Sequence, residues 1–492
     1  MGEILNRKLP FGTKVYWGFG QIGEGVKNAA FNSYLLFYYN QILGVSATLT
    51  ALALAIAVFF DAISDPIAGS VSDKFQSRWG RRHPFMFASA APLGITLFLL
   101  FYPPADMSEY FYFGWVLFFA IAVRTFLTLY HVPHLALGAE IAPEYEDRST
   151  LFGTGLFFGA FGGYGFAFLM LALVFTPQPD LPNGLYNADG YPIMAAVAGI
   201  TVFVAIMLSV WGTRKEIPRM SKVIPTTEPL SIRRVVGELR IAFSSPSYRS
   251  IFFGLILGTV VTSVEATLNA FMGVHFWGLE TNQLKWIPLT VAAGLPFGSI
   301  LGAYLVRLMD KKWCLIVPAA LTILNVNVLI VLRLMGVLPE NGDPLILPLL
   351  LINVFVTSLV APAIFITVNS MFADIADEIE LMTGRRQEGI IYSARAFAGK
   401  AAVALGTIVG GIILDLIQFP ENAVPGEVSP EVVFNLGFAQ GPGTSIFSFL
   451  GLLLYFRYRL TRKRHQEILV ELDKTRELPD SGALDAELTA KS

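Results

Sequence analysis

Apolar runs long enough to cross a bilayer recur from one end of this 492-residue chain to the other. A helix of about 20 residues spans the roughly 30 Å hydrocarbon layer. Inside that layer every backbone N–H and C=O must be satisfied within the segment or by a closed barrel, so repeated runs of this length dictate a helical bundle. The charge content agrees, with 15% charged residues against the roughly 25% of soluble chains. Twelve spans are predicted, near 15–43, 47–73, 84–104, 110–140, 149–175, 192–212, 248–277, 283–308, 313–336, 344–373, 388–418 and 432–457. The expected class is an all-α polytopic membrane protein.

Lys and Arg set the orientation. With both termini on one face, the loops and tails of that face hold 29 of the 35 basic residues, and the opposite loops hold only Lys285. Positive charge accumulates on the cytoplasmic side, so both ends are expected there, in the cell's inner (plasma) membrane. The chain divides into a six-helix half over 1–212, a middle loop over 213–247, a second six-helix half over 248–459 and a tail over 460–492. Within the loop, SIRRVVGELRIAF reads as a surface amphipathic helix. The N-terminus shows no cleavable signal pattern, so the first span is expected to stay attached.

Several classes fall away. The net charge of −2 gives no electrostatic basis for nucleic-acid binding. A lone cysteine, Cys314, cannot form an intrachain disulfide. No nucleophile triad, metal-ligand spacing or nucleotide loop appears, so no enzyme and no cofactor is expected. A membrane sensor would carry a long soluble output domain, and the stretch after Arg464 is short.

The second span carries the sharpest chemistry. Asp61 and Asp65 are four residues apart, hence on one helix face. A charge at the bilayer centre costs about 2.5–3.5 kcal/mol on the insertion scale, so intramembrane carboxylates need water, a cation or a basic partner. Other intramembrane polar groups are Glu24 and Lys27 in the first span, Arg124, Thr128 and His131 in the fourth, Glu265 in the seventh, and Arg395 and Lys400 in the eleventh. Glu24 and Lys27 form either a self-neutralising pair or part of a substrate site. Glu265 and Arg395 are expected to pair. Arg124 lies seven residues before His131 and faces the same way. Trp17, Tyr34 and Trp277 are candidate stacking surfaces. A basic cluster, Asp73, Arg78, Arg81 and Arg82, follows the second span and reads as a gate latch at the cytoplasmic mouth or as charge that fixes topology.

The two halves look repeated, with glycine-rich fifth and eleventh spans that allow close packing. DAISDPIAG (61–69), SRWGRRHPF (77–85), MFADIADEIE (371–380), TGRRQEG (383–389) and YSARAFAGK (392–400) resemble motifs of the glycoside–pentoside–hexuronide:cation symporter family, melibiose-permease-like members of the major facilitator superfamily. The resemblance implies the major facilitator fold, twelve transmembrane helices in two six-helix halves, and cation-coupled symport of a small-molecule substrate by alternating access. It assigns Asp61, Asp65 and Lys400 to the coupling cation, H⁺ or Na⁺, with the two Asp as metal ligands if the ion is Na⁺. His131 stands where the family has an aspartate in the fourth helix. Losing that hard oxygen ligand tilts the expectation towards H⁺. The family's fifth-helix sugar-binding arginine falls at Leu156, and its first-helix acid falls beside Glu24. Glu24, Lys27, Arg124, Thr128 and Arg395 are therefore the candidate substrate ligands. The substrate is expected to be a sugar or glycoside, or alternatively an amphiphile such as a lysophospholipid or steroid-like solute. A monomer in the lipid bilayer is expected.

Overall fold

The computed structural model describes residues 8–142, 144–179, 181, 183–219, 240–384 and 388–477. Among them there is no β-strand, and twelve spans follow one another. The first is helix α1 (Phe11–Ala29), continued by π turns Ala30–Leu35 and Tyr38–Ile42. Then come α2 (Ala47–Lys74), α3 (His83–Leu100), α4 (Glu109–Ile141), α5 (Tyr145–Leu173) and α6 (Gly190–Thr213). The second set is α7 (Pro246–Phe271, with π turn Met272–Phe276), α8 (Trp286–Leu308), α9 (Lys311–Leu334), α10 (Ile346–Thr383) and α11 (Glu388–Leu416). The last span, α12, joins Pro430–Phe438, π turn Ala439–Gly443 and Thr444–Tyr455, and helix α13 (Arg462–Glu477) follows it. Ten of these spans are long and apolar enough to cross a membrane as single helices. The first, 19 residues as a regular helix, is less apolar than these and continues into two π turns, and the twelfth is divided by a π turn.

The predicted spans match these elements, with one clear difference. The tenth was expected to end at 373, where acidic residues begin. Instead α10 runs to Thr383, and Gly384 closes it with a left-handed φ of +68°. The added turns are charged on one side because they leave the bilayer. They dock on α13, where His465 Nε2 lies 3.0 Å from Asp377 Oδ2, and on α9, where Lys311 Nζ lies 2.7 Å from Asp374 Oδ2. Most of the expected surface helix of the middle loop lies outside the described residues.

Glycines set how closely the helices meet. A Cβ placed on Gly25 of α1 would lie 2.1 Å from the Gly159 carbonyl of α5, so only glycine permits this crossing. Gly94 and Gly199 do the same for α3 and α6. Gly411 of α11 meets α2, where its Cβ would lie 2.5 Å from Ala51 Cβ. That contact joins the two sets of six.

The repeat is visible at the ends of α1 and α7. Both finish in a π turn and then a glycine with positive φ, Gly44 at +66° and Gly278 at +60°. Corresponding residues meet across the interface. Phe37 packs on Phe271 with ring centroids 5.4 Å apart. Tyr186 Oη bridges Gln41 Oε1 at 3.4 Å and His275 Nε2 at 2.8 Å. This end of the bundle, opposite to Leu9 and α13, seals the halves together. Ser46 Oγ donates to Asp415 Oδ2 at 2.8 Å, Gln41 Nε2 donates to the Pro420 carbonyl at 3.1 Å, and Gly184 N donates to Thr281 Oγ1 at 2.7 Å. At the terminal end, carrying Leu9 and α13, the charged clusters among the described residues each stay within one half.

Candidate functional site

Midway along α2 the helix presents Asp61 and Asp65 to α4 of the same half and α11 of the other. Lys400 Nζ lies 3.0 Å from Asp61 Oδ2 and also contacts Asp65 Oδ2. Arg124 Nη1 lies 3.5 Å from Asp61 Oδ2, and its guanidinium sits 5.5 Å from the Phe31 ring. Thr128 Oγ1 is 2.8 Å from Asp61 Oδ1 and 2.8 Å from Asp65 Oδ1. Two carboxylates thus face two fixed cations in a low-dielectric setting, where breaking such a pair costs about 3–5 kcal/mol. Arg124 and Thr128, expected at the substrate, sit instead against the carboxylates.

His131 is not in this group. Its Nε2 lies 2.9 Å from Glu24 Oε2, one helix away. Glu24 therefore pairs with α4 and not with Lys27, as the self-neutralising reading required. Lys27, 5% exposed, donates to Asn28 Oδ1 at 2.7 Å and lies 5.4 Å from the Phe31 ring. Arg395 does not meet Glu265. It donates to Asn369 Oδ1 at 2.8 Å and stacks over Phe372 at 4.7 Å. Glu265, partly buried, has no hydrogen-bond or ion-pair partner among the described residues. In the loop cluster, Arg82 contacts Asp73 and reaches Glu140 Oε1 at 2.9 Å, and Arg81 reaches the same oxygen at 2.9 Å, while Arg78 is exposed. All these partners belong to the first six helices, so in this conformation the cluster ties α2 to α4 and does not bridge the halves.

A cavity of about 660 Å³ lies between α1 and α5 of one half and α7 and α8 of the other, and Asp61, Asp65, Arg124, Thr128 and Lys400 are not in its wall. That volume suits a small organic solute. Gln21, Glu24, Asn28 and Asn32 line it from one face of α1, and Asn269 does so from α7. Charge drew attention to Glu24 alone. The amide stripe at positions 21, 28 and 32 repeats with helical period and was readable as a polar face within an apolar span. Leu156, at the family's arginine position, is also in the wall. Trp17 is not. It is 1% exposed and stacked on His134 at 4.6 Å. Trp277 is buried as well, and Tyr34 reaches the cavity edge with its hydroxyl bonded to the Ala167 carbonyl at 3.1 Å.

A polytopic bundle with a charged midplane pair and a cavity between two repeats is a transporter architecture. The family model described as MFS/sugar transport protein matches residues 16–462. The chain belongs to this family. Within it, this is a member of the glycoside–pentoside–hexuronide:cation symporter group, a multi-pass membrane transporter and not an enzyme. The glucuronide carrier protein homolog of Escherichia coli is 23% identical, covering 96% of this chain and 98% of that protein. A putative glycoside/cation symporter of the same organism is 23% identical, covering 98% and 99%. Among solved structures, the inward-facing bacterial homolog of the human lysosomal transporter Spinster superposes with a TM-score of 0.63 at 13% identity, covering 96% of this chain and 98% of that one. It shows the shared major facilitator fold.

Proposed function

We propose that this transporter is a proton-coupled symporter of a sugar or glycoside, with Asp61 and Asp65 as the coupling pair and both termini cytoplasmic. The observation that carries the proton is the placement of Thr128. One hydroxyl hydrogen serves one carboxylate at a time, yet Thr128 Oγ1 is 2.8 Å from an oxygen of each. Both contacts become hydrogen bonds when one carboxyl is protonated and donates to Thr128. A sodium ion in the same place would have to displace Lys400 from both carboxylates, which a proton need not do.

The amide stripe supports a sugar. Carboxamides both donate and accept, which matches a polyol's hydroxyls. The names of the E. coli relatives point the same way. The apolar wall of Leu156, Leu171, Ile287, Val291 and Leu295 favours an amphiphilic solute as a second reading. With the basic end in the cytoplasm, the sealed end is extracellular, and closure at that end supports an inward-facing state of alternating access.

The test is uptake into proteoliposomes over a panel of glycosides, free sugars, a lysophospholipid and a steroid glycoside, under imposed pH or sodium gradients. Accumulation of a glycoside driven by an inward proton gradient is expected, with Asp65→Asn and Lys400→Ala losing it. Stimulation by sodium at fixed pH, or full accumulation by both variants, would refute the reading.

A further inference from the structure

The first half holds a second polar system in its core, away from the cavity. His134 is fully buried between Trp17, 4.6 Å away on one face, and Tyr130, 5.0 Å away on the other. Neither of its ring nitrogens has a protein hydrogen-bond partner among the described residues, and the buried Tyr130 and Ser209 hydroxyls face each other beside it. These groups converge on Gly20 of α1. A Cβ there would lie 2.0 Å from Tyr130 Oη, 2.8 Å from His134 Cε1 and 2.9 Å from Ser209 Oγ. Two buried hydroxyls and the edge of an imidazole around one point make a polar site, the kind that ordered water joins.

The site has a neighbour on each side along the membrane normal. Towards the cavity, His131 lies one helical turn before His134 on α4 and pairs with the cavity-lining Glu24. Towards the terminal end, Thr213 Oγ1 donates to the Ser209 carbonyl at 2.6 Å and meets His83 Nε2 at 3.0 Å. His83 Nδ1 has no protein partner and points towards the loop at Gly80. The titratable groups along this line are Glu24, His131, His134, Tyr130 and His83.

We infer that this line is a proton-conducting chain, running through the first half from Glu24–His131 to His83. Each imidazole accepts a proton on one nitrogen and releases one from the other. Each hydroxyl and bridging water accepts one hydrogen bond and donates another, and Thr213 does so once its hydroxyl turns from the Ser209 carbonyl towards the Ser209 hydroxyl. One proton enters at His83 or His131 and one leaves at the other end, with no other bond changed. The chain would let the cavity exchange protons with the terminal side without opening the path the substrate takes. The inference rests on proton coupling as proposed above.

The test uses purified full-length protein in proteoliposomes with an internal pH indicator. The wild type should take up protons with substrate. His134→Gln, Tyr130→Phe and Gly20→Ala, the last pushing a methyl group against the Tyr130 hydroxyl, should slow proton-driven uptake and the coupled pH change at least tenfold while substrate counterflow without a gradient stays near wild type. If Gly20→Ala does not fold, the near-isosteric Tyr130→Phe and His134→Gln decide. Wild-type proton uptake with all folded variants unaffected overturns the chain alone. Absence of proton uptake in the wild type overturns the proton reading and the chain together. Equal loss of counterflow and proton uptake means a structural role and also refutes the chain.

Discussion

At the scale of single residues, ionic partners decide which charge does what. Arg124 and Arg395 are alike in the sequence, each an arginine in an apolar span. Arg124 answers a carboxylate, and Arg395 an amide and a ring. Replacing Arg124 leaves Asp61 with less countercharge, and breaking a buried pair costs about 3–5 kcal/mol. Arg124→Gln should therefore lower thermal stability and accumulation, and the double variant Asp61→Asn/Arg124→Gln should recover most of the stability but not the transport. A double-mutant cycle on melting temperature checks this; additive losses would mean that the two groups do not interact. The carboxylate pair and Lys400 were legible because charges in a hydrocarbon span are costly enough to announce themselves. Their partners were less so. Spacing says which residues of one helix share a face. It does not say which face of another helix they meet, so Glu24 was read against Lys27 on its own helix and missed His131 on α4.

Glycine contacts separate two kinds of helix crossing. Gly25 with Gly159 joins α1 to α5 inside one half, a contact that persists through any rocking of rigid halves. Gly411 against Ala47 and Ala51 joins α11 to α2 between halves, a contact that exists only while the opposite end is sealed. Adding a methyl group to each should then have different effects. Gly25→Ala should destabilise the fold by about 1–3 kcal/mol, as overpacking does. Gly411→Ala should leave the melting temperature nearly unchanged but raise solvent accessibility of cysteines placed at the sealed end, because it favours the open alternative. Thiol labelling rates measure the second effect. Element boundaries followed from hydropathy where the bilayer ends them, and failed at α10, where the helix outlasts the membrane and only Gly384 stops it. The π turns of α1, α7 and α12 were not legible either, since an extra residue in one turn leaves the apolar run unbroken.

The whole molecule has one closed seam, and its chemistry can be tested directly. Ser46 and Asp415 face each other across it, so Ser46→Cys with Asp415→Cys, in a chain with Cys314→Ala, should cross-link on oxidation, abolish net uptake and leave substrate binding from the terminal side intact. Retained transport after complete cross-linking would show that the seam does not open. The same seam carries Glu421, whose carboxyl is pushed up from the ordinary range by burial and by the nearby Glu109 and Asp415. It holds its proton more tightly while the seam is shut, so raising the pH through and above the usual carboxylate range ionises it, adds repulsion and loosens the closure. Six-plus-six topology was readable because loop charge and span length each report it independently. The seam was not, for its donors and acceptors are ordinary polar groups at helix ends and in loops that distance along the chain keeps apart. One electrical consequence follows from the midplane cluster. Asp61 and Asp65 balance Lys400 and Arg124, so the empty site is neutral as a unit. Binding any monovalent cation makes it +1. In the proposed coupling role of this cluster, the membrane potential, which acts with about 2.3 kcal/mol per elementary charge per 100 mV, therefore bears on the loaded carrier and spares its empty return. On that proposal, voltage and concentration gradient push on the same half of the cycle.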